Sequence, residues 1–153
     1  MSSIGFFLFI SCGSEDDVSP IPEIAFIGFD KDTLNQSFFN EDTINLALSF
    51  VDGDGDLNSF EGNDGAKLVI TDLRTNEIYD RFLLPDVPTR GVTRGEMFIR
   101  LFTTCCIFPD NIPPCEVDAR YPTNDLTLSV TLIDGQGNLS NTIETAPIIL
   151  KCN

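Results

Sequence analysis

Apolar and polar side chains alternate with a two-residue period along most of this chain, the pattern of strands that bury one face and wet the other. Leu46, Leu48 and Phe50 alternate with Ala47 and Ser49, and Leu126, Leu128, Val130 and Leu132 alternate with Thr127, Ser129 and Thr131. The pattern predicts strands over residues 23–29, 43–51, 66–73, 77–84, 96–104, 126–133 and 138–150, separated by clusters of Gly, Pro, Asn and Asp. Arg74-Thr75-Asn76 supplies a hairpin turn. Pro85, Pro88, Pro109, Pro113 and Pro114 break any helix nearby, because proline lacks the N–H that a helix interior needs. Short strands with turns between them predict an all-β sandwich.

Two stretches echo each other. Leu46-Ala47-Leu48-Ser49-Phe50-Val51-Asp52-Gly53-Asp54-Gly55-Asp56-Leu57 matches Leu128-Ser129-Val130-Thr131-Leu132-Ile133-Asp134-Gly135-Gln136-Gly137-Asn138-Leu139. Strand, Asp-Gly-x-Gly turn and following Leu are all in register. The second copy is similar to the corresponding turn of bacterial immunoglobulin-like and fibronectin-type modules. That resemblance implies an immunoglobulin-like β-sandwich of about seven strands over residues 23–153, with the echoed segments as its second and sixth strands. In such a sandwich these two strands run the same way and deliver their turns to one end. Cys152 then arrives at the opposite end, near the other cysteines of the mature chain, and the first strand starts beside the Asp-Gly turns.

At the N-terminus an apolar run from Ile4 to Ile10 leads into Ser11-Cys12 and then Gly13-Ser14-Glu15-Asp16-Asp17. The run is too short to span a bilayer, which takes about 20 residues. The segment resembles a bacterial lipoprotein precursor. The resemblance implies a signal peptide over 1–11, lipidation of Cys12, and an acidic flexible tether over 12–22. Ser14-Glu15-Asp16-Asp17 is similar to the acidic export signal of Bacteroidetes surface lipoproteins, which implies an outer-membrane lipoprotein at the cell surface. Phe9 stands where Leu is commonest, and residues 1–11 hold no Lys or Arg, which points to a translation start upstream of Met1. An ordinary cleaved secretory leader is the plainer alternative. A tether over 13–22 reaches about 30 Å when extended, so the Asp-Gly turns are expected to face the membrane and the cysteine loop to face outward.

Composition narrows the function. A formal charge of −15 argues against nucleic acid and anionic lipid surfaces as partners, since both need clustered Lys and Arg. With no His, Ser-His and Cys-His triads and His-metal sites are excluded, and no Ser-x-x-Lys or glycine-rich phosphate loop occurs. Carboxylate pairs for glycoside hydrolysis remain available. Yet the chain has no Trp and only Tyr79 and Tyr121, a poor aromatic platform for sugar. The expectation is a non-catalytic binding or accessory lipoprotein with an envelope or extracellular protein as partner. The alternative is a glycan-binding or glycan-processing lipoprotein using surface carboxylates.

Three groups of residues carry candidate chemistry. Cys105, Cys106, Cys115 and Cys152 form an even set suited to an oxidising compartment. One of the adjacent pair is expected to bond Cys115 and the other Cys152, with the order open. Asp52, Asp54 and Asp56 alternate with glycines and can converge on a hard cation, with Asp134, Asn138, Glu61 or Asp64 as further oxygen donors. The turn resembles the start of a calcium loop, with Leu57 where a Gly belongs and Asn63 where a bidentate Glu belongs. Side chains satisfying their own turn backbones explain the same residues. On either reading the carboxylates are expected to be exposed and hydrated. Finally, Ile107, Phe108 and Ile112 in the cysteine loop form either a partner-binding tip or a cap over the core.

Overall fold

The computed structural model describes residues 18–57, 65–85 and 91–153. Cys12, the leader, the acidic run, Glu61 and Asp64 lie outside them. Among the described residues there are ten strands and no helix: β1 (Glu23–Phe29), β2 (Thr33–Asn35), β3 (Thr43–Asp52), β4 (Lys67–Asp72), β5 (Glu77–Leu83), β6 (Thr93–Phe102), β7 (Thr123–Leu126), β8 (Leu128–Ile133), β9 (Ile143–Glu144) and β10 (Ile148–Lys151). They form three sheets ordered β1-β3-β6, β2-β10-β7 and β5-β4-β8-β9, an arrangement consistent with a β-sandwich.

Alternation sets which side chains meet in the core. Ile44, Leu46 and Leu48 of β3, Leu68 and Ile70 of β4, and Leu128, Val130 and Leu132 of β8 are fully buried in one cluster with Leu126, Ile148 and Leu150. Each such side chain contributes roughly 1.5–3 kcal/mol on burial. A bulge in β1 keeps its aromatics on that inner face. Phe26 lies opposite Leu48, and the register slips past exposed Ile27 so that Phe29 lies opposite Leu46. The rings of Phe26 and Phe29 then meet edge to face at 5.2 Å.

The long β3–β6 ladder sets the axis of the molecule. It runs from Thr43 opposite Phe102 at one end to Asp52 opposite Thr93 at the other. Cysteines 105 and 106 follow β6 at the first end, and the first Asp-Gly turn follows β3 at the second. Asn141 clamps the start of β1 near that second end, accepting from Ile24 N–H at 2.8 Å and donating to its carbonyl at 2.8 Å.

Ten strands replace the expected seven because two predicted strands are each split and a short one is added. The 126–133 strand begins earlier, at Thr123, and breaks at Thr127, whose carbonyl accepts from Leu73 N–H instead of a ladder partner. The 138–150 strand reduces to β9 and β10. Pro147 cannot donate to a ladder, and Thr145 takes over locally: its N–H donates to Leu128 O at 2.9 Å and its Oγ1 accepts from Leu128 N at 3.1 Å. Both breaks fall where the chain passes from one sheet to another. β2 has no alternating pattern of its own and forms by parallel pairing with β10.

Candidate functional site

The first Asp-Gly turn begins inside the end of β3, which is why its carboxylates are not at the surface. Asp52 is fully buried and Asp56 is 5% exposed, while Asp54 between them faces solvent. This corrects the expectation of an exposed, hydrated loop. Two segments cover the turn. Val18 and Ser19 lie over Gly53 so closely that a Cβ there would stand 2.2 Å from Ser19 O, and Gly91 lies over Gly55, with its carbonyl 2.4 Å from the corresponding position. Gly55 also adopts φ +71°, a conformation that suits glycine.

One ligand atom from each of Asp52, Asp54 and Asp56 falls within 4.8 Å of the others. Asp52 Oδ2 accepts from Asp56 N–H at 3.0 Å. Asp52 Oδ1 and both carboxylate oxygens of Asp56 are buried and accept no hydrogen bond. Burial, then the charges of Asp134, Asp54 and Asp52, push the Asp56 carboxyl up to about 6, with the Gln136 side chain acting in the opposite sense. Asp52 is likewise raised, by burial and then by the charge of Asp54.

The second turn reaches the same end and touches the first. Gly135 N–H donates to Asp56 O at 3.0 Å, and Gln136 Nε2 donates to Asp54 Oδ2 at 3.3 Å. Asp134 is 1% exposed, yet fully engaged. Its Oδ1 accepts from the backbone N–H of Gln136 at 2.9 Å and of Asn138 at 2.7 Å, and its Oδ2 accepts from Asn138 Nδ2 at 2.8 Å. Thus Asp134 and Asn138 hydrogen-bond each other and their own turn. Among the described residues, the acidic group that converges is Asp52, Asp54 and Asp56.

At the opposite end the cysteines pair as Cys105–Cys115 and Cys106–Cys152, with Cα separations of 4.6 and 5.9 Å. Neighbouring residues of an extended chain point to opposite sides. Cys106 faces inward and joins Cys152, both within the core, while Cys105 faces outward to Cys115. The loops they close correspond to about 3 and about 4 kcal/mol of stabilisation in the chain-entropy account. Side chains hold the loop as well. Gln36 accepts from Cys106 N–H and donates to Glu116 O, both at 3.1 Å. Arg74 forks onto Asp72 and reaches Cys105 O at 3.2 Å and Asn124 Oδ1 at 2.7 Å.

The apolar residues of this loop divide. Phe108 packs against the core and the Tyr121 ring, 6.0 Å away, and so acts as a cap, while Ile112 is half-buried. Ile107 remains exposed and lines a groove of about 600 Å³ with Phe38, Ile78, Phe102 and Pro114. Tyr79 donates its hydroxyl to Phe102 O beneath this groove, tying β5 to β6. Phe39, beside Phe38, is 83% exposed. The sequence reading passed over this pair. Its signal was two adjacent aromatics in a polar connection, Ser37-Phe38-Phe39-Asn40, which have no strand through which to bury.

No family model, no curated protein and no solved structure matches this chain.

Proposed function

We propose that the chain is a non-catalytic, lipid-anchored binding or accessory module of the bacterial outer envelope, built as an immunoglobulin-like sandwich and displayed at the cell surface. The observation that carries this reading is the polarity of the domain. The N-terminal segment leaves beside the acidic turns, where Ser19 lies against Gly53, and the disulfide-bound loop sits at the other end of the β3–β6 ladder. A lipid on Cys12 therefore holds the acidic end toward the membrane and offers the groove outward. Parallel pairing of β2 with the last strand, and two echoed strands whose turns meet at one end, support the immunoglobulin-like assignment. The partner in this reading is an envelope or extracellular protein with an apolar segment that covers Phe38, Phe39 and Ile107. Exposed aromatics held beside a rigid loop suit such an anchor.

Two measurements test it. Intact mass of the protein extracted from native membranes should fit a chain beginning at acylated Cys12 and rise on reduction by two hydrogens for each of the two disulfides; an unacylated chain removes the anchor. A photo-crosslinking residue at Phe39 should capture one discrete envelope or extracellular protein on intact cells. Reproducible sugar binding by the purified protein on a glycan array, with no such capture, replaces this reading by the glycan-binding one.

A further inference from the structure

The two Asp-Gly turns share a backbone plan, but only one of them leaves carboxylate oxygens without partners. Asp52 Oδ1 and Asp56 Oδ1 and Oδ2 are buried and accept nothing, and both residues belong to the cluster that Asp54 completes. Burying an ionised carboxylate without a partner is costly by several kcal/mol. The neighbouring turn shows the remedy available to this backbone: Asp134 accepts three hydrogen bonds from its own turn. At Asp52 the first turn pairs only Oδ2, with Asp56 N–H, and leaves Oδ1 open, whereas Asp134 pairs both of its oxygens.

We propose that Asp52, Asp54 and Asp56 form a calcium site. Oxygens on opposite sides of a bound calcium stand about 4.6–5.2 Å apart, twice its usual 2.3–2.6 Å bond, against about 4.0–4.2 Å for magnesium. The three ligand atoms all lie within 4.8 Å of one another, inside the span of one calcium shell. The donors are all hard oxygens. The chain has no His, and the described cysteines are consumed in disulfides at the far end, so the site lacks the nitrogen and sulfur that zinc and copper prefer. Asp54, on the exposed side, leaves room for water to complete the shell. Asp134 adds negative potential beside the site.

The site has a mechanical consequence. Gly53 lies within the turn that the ion would brace and is packed against the Val18 and Ser19 carbonyls. A bound ion therefore fixes the direction in which the N-terminal segment leaves the domain. This inference stands on the turn alone and does not depend on what the N-terminus is attached to.

The test uses the full, disulfide-bonded chain stripped with chelator, titrated with calcium chloride in a calorimeter and followed in parallel by thermal melting. One calcium should bind with a Kd of about 10⁻⁴–10⁻³ M, the range of extracellular calcium modules, and raise the melting temperature. Asp56→Asn should weaken binding by about tenfold or more, abolish the calcium-dependent rise, and melt no lower than the parent in chelator, because it removes a charge without breaking a hydrogen bond. Asp125→Asn, on exposed β7, should bind as the parent does. Absence of heat and of any melting shift at several times that concentration, parental affinity in Asp56→Asn, or tighter binding of magnesium than of calcium each overturns the assignment.

Discussion

The turns at 52–57 and 134–139 begin with the same Asp-Gly-x-Gly pattern and diverge in everything that surrounds them. In the second, Asp134 is a closed hydrogen-bonded unit, and Leu139 after it is 62% exposed. In the first, Leu57 at the matching position is 5% exposed, and three carboxylate oxygens are buried without partners. The difference comes from cover. Val18, Ser19 and Gly91 press on the first turn, whereas nothing lies within 4 Å of a Cβ built on Gly137. A turn motif specifies backbone curvature, and its packing decides whether the carboxylates in it act as caps or as open ligands.

Removing each turn's acid should expose that contrast most strongly. Asp134→Ala strips the acceptor from three donors and should destabilise the protein by about 3–4 kcal/mol in urea denaturation, with or without calcium. If it proved near neutral, the second turn would not be the self-satisfied unit described above. The matching glycines should differ next. Gly55→Ala meets both a left-handed φ and the Gly91 carbonyl, and should destabilise by about 2–3 kcal/mol, against about 1 kcal/mol for Gly137→Ala, where φ is +91° but space is open. Equal losses would mean that cover contributes nothing.

Asp56→Asn should have the opposite sign. In chelator it should stabilise by about 1–2 kcal/mol, since it relieves a buried, unpaired charge. The same charge predicts a pH response in the cation-free protein. The folded Asp56 carboxyl sits at about 6, above its ordinary 3.8, so its penalty is complete above pH 6, shrinks as pH falls through 6, and is absent below about 4. Denaturation at pH 7 and pH 5 should therefore show a gain on acidification of up to about 1 kcal/mol, lost with saturating calcium and lost in Asp56→Asn. Further acidification acts in reverse through Asp42. Its hydrogen bond from Lys31, at 2.6 Å, and then that from Asn35 N–H hold its carboxyl down to about 2, so its contribution is present above about 4 and disappears as pH falls toward 2.

How far the sequence could be read follows from the range of each interaction. Leu46, Leu48, Leu126, Leu128, Val130 and Leu132 were legible as core because a strand's two-residue period is local, and all six are fully buried. The Arg74-Thr75-Asn76 hairpin was legible for the same reason, with Asn76 taking φ 60° at the turn. Breaks at Thr127 and around Pro147 were not. They depend on which sheet each half of a strand joins, and Thr145 shows its part only when Leu128 lies opposite.

The sequence by itself determined the alternation that makes this chain all-β, the matched pair of Asp-Gly turns, and the even set of cysteines beyond residue 104. These are properties of spacing along the backbone. Tertiary structure alone decided that Cys106 rather than Cys105 joins Cys152, that Phe108 caps the core while Phe38 and Phe39 stay out, and that Asp56 is buried while Asp54 is not. Burial is set by the segments that come to lie over a residue. For the first turn these are Val18, Ser19 and Gly91, each more than thirty residues away in the chain and brought there only when the sheets assemble.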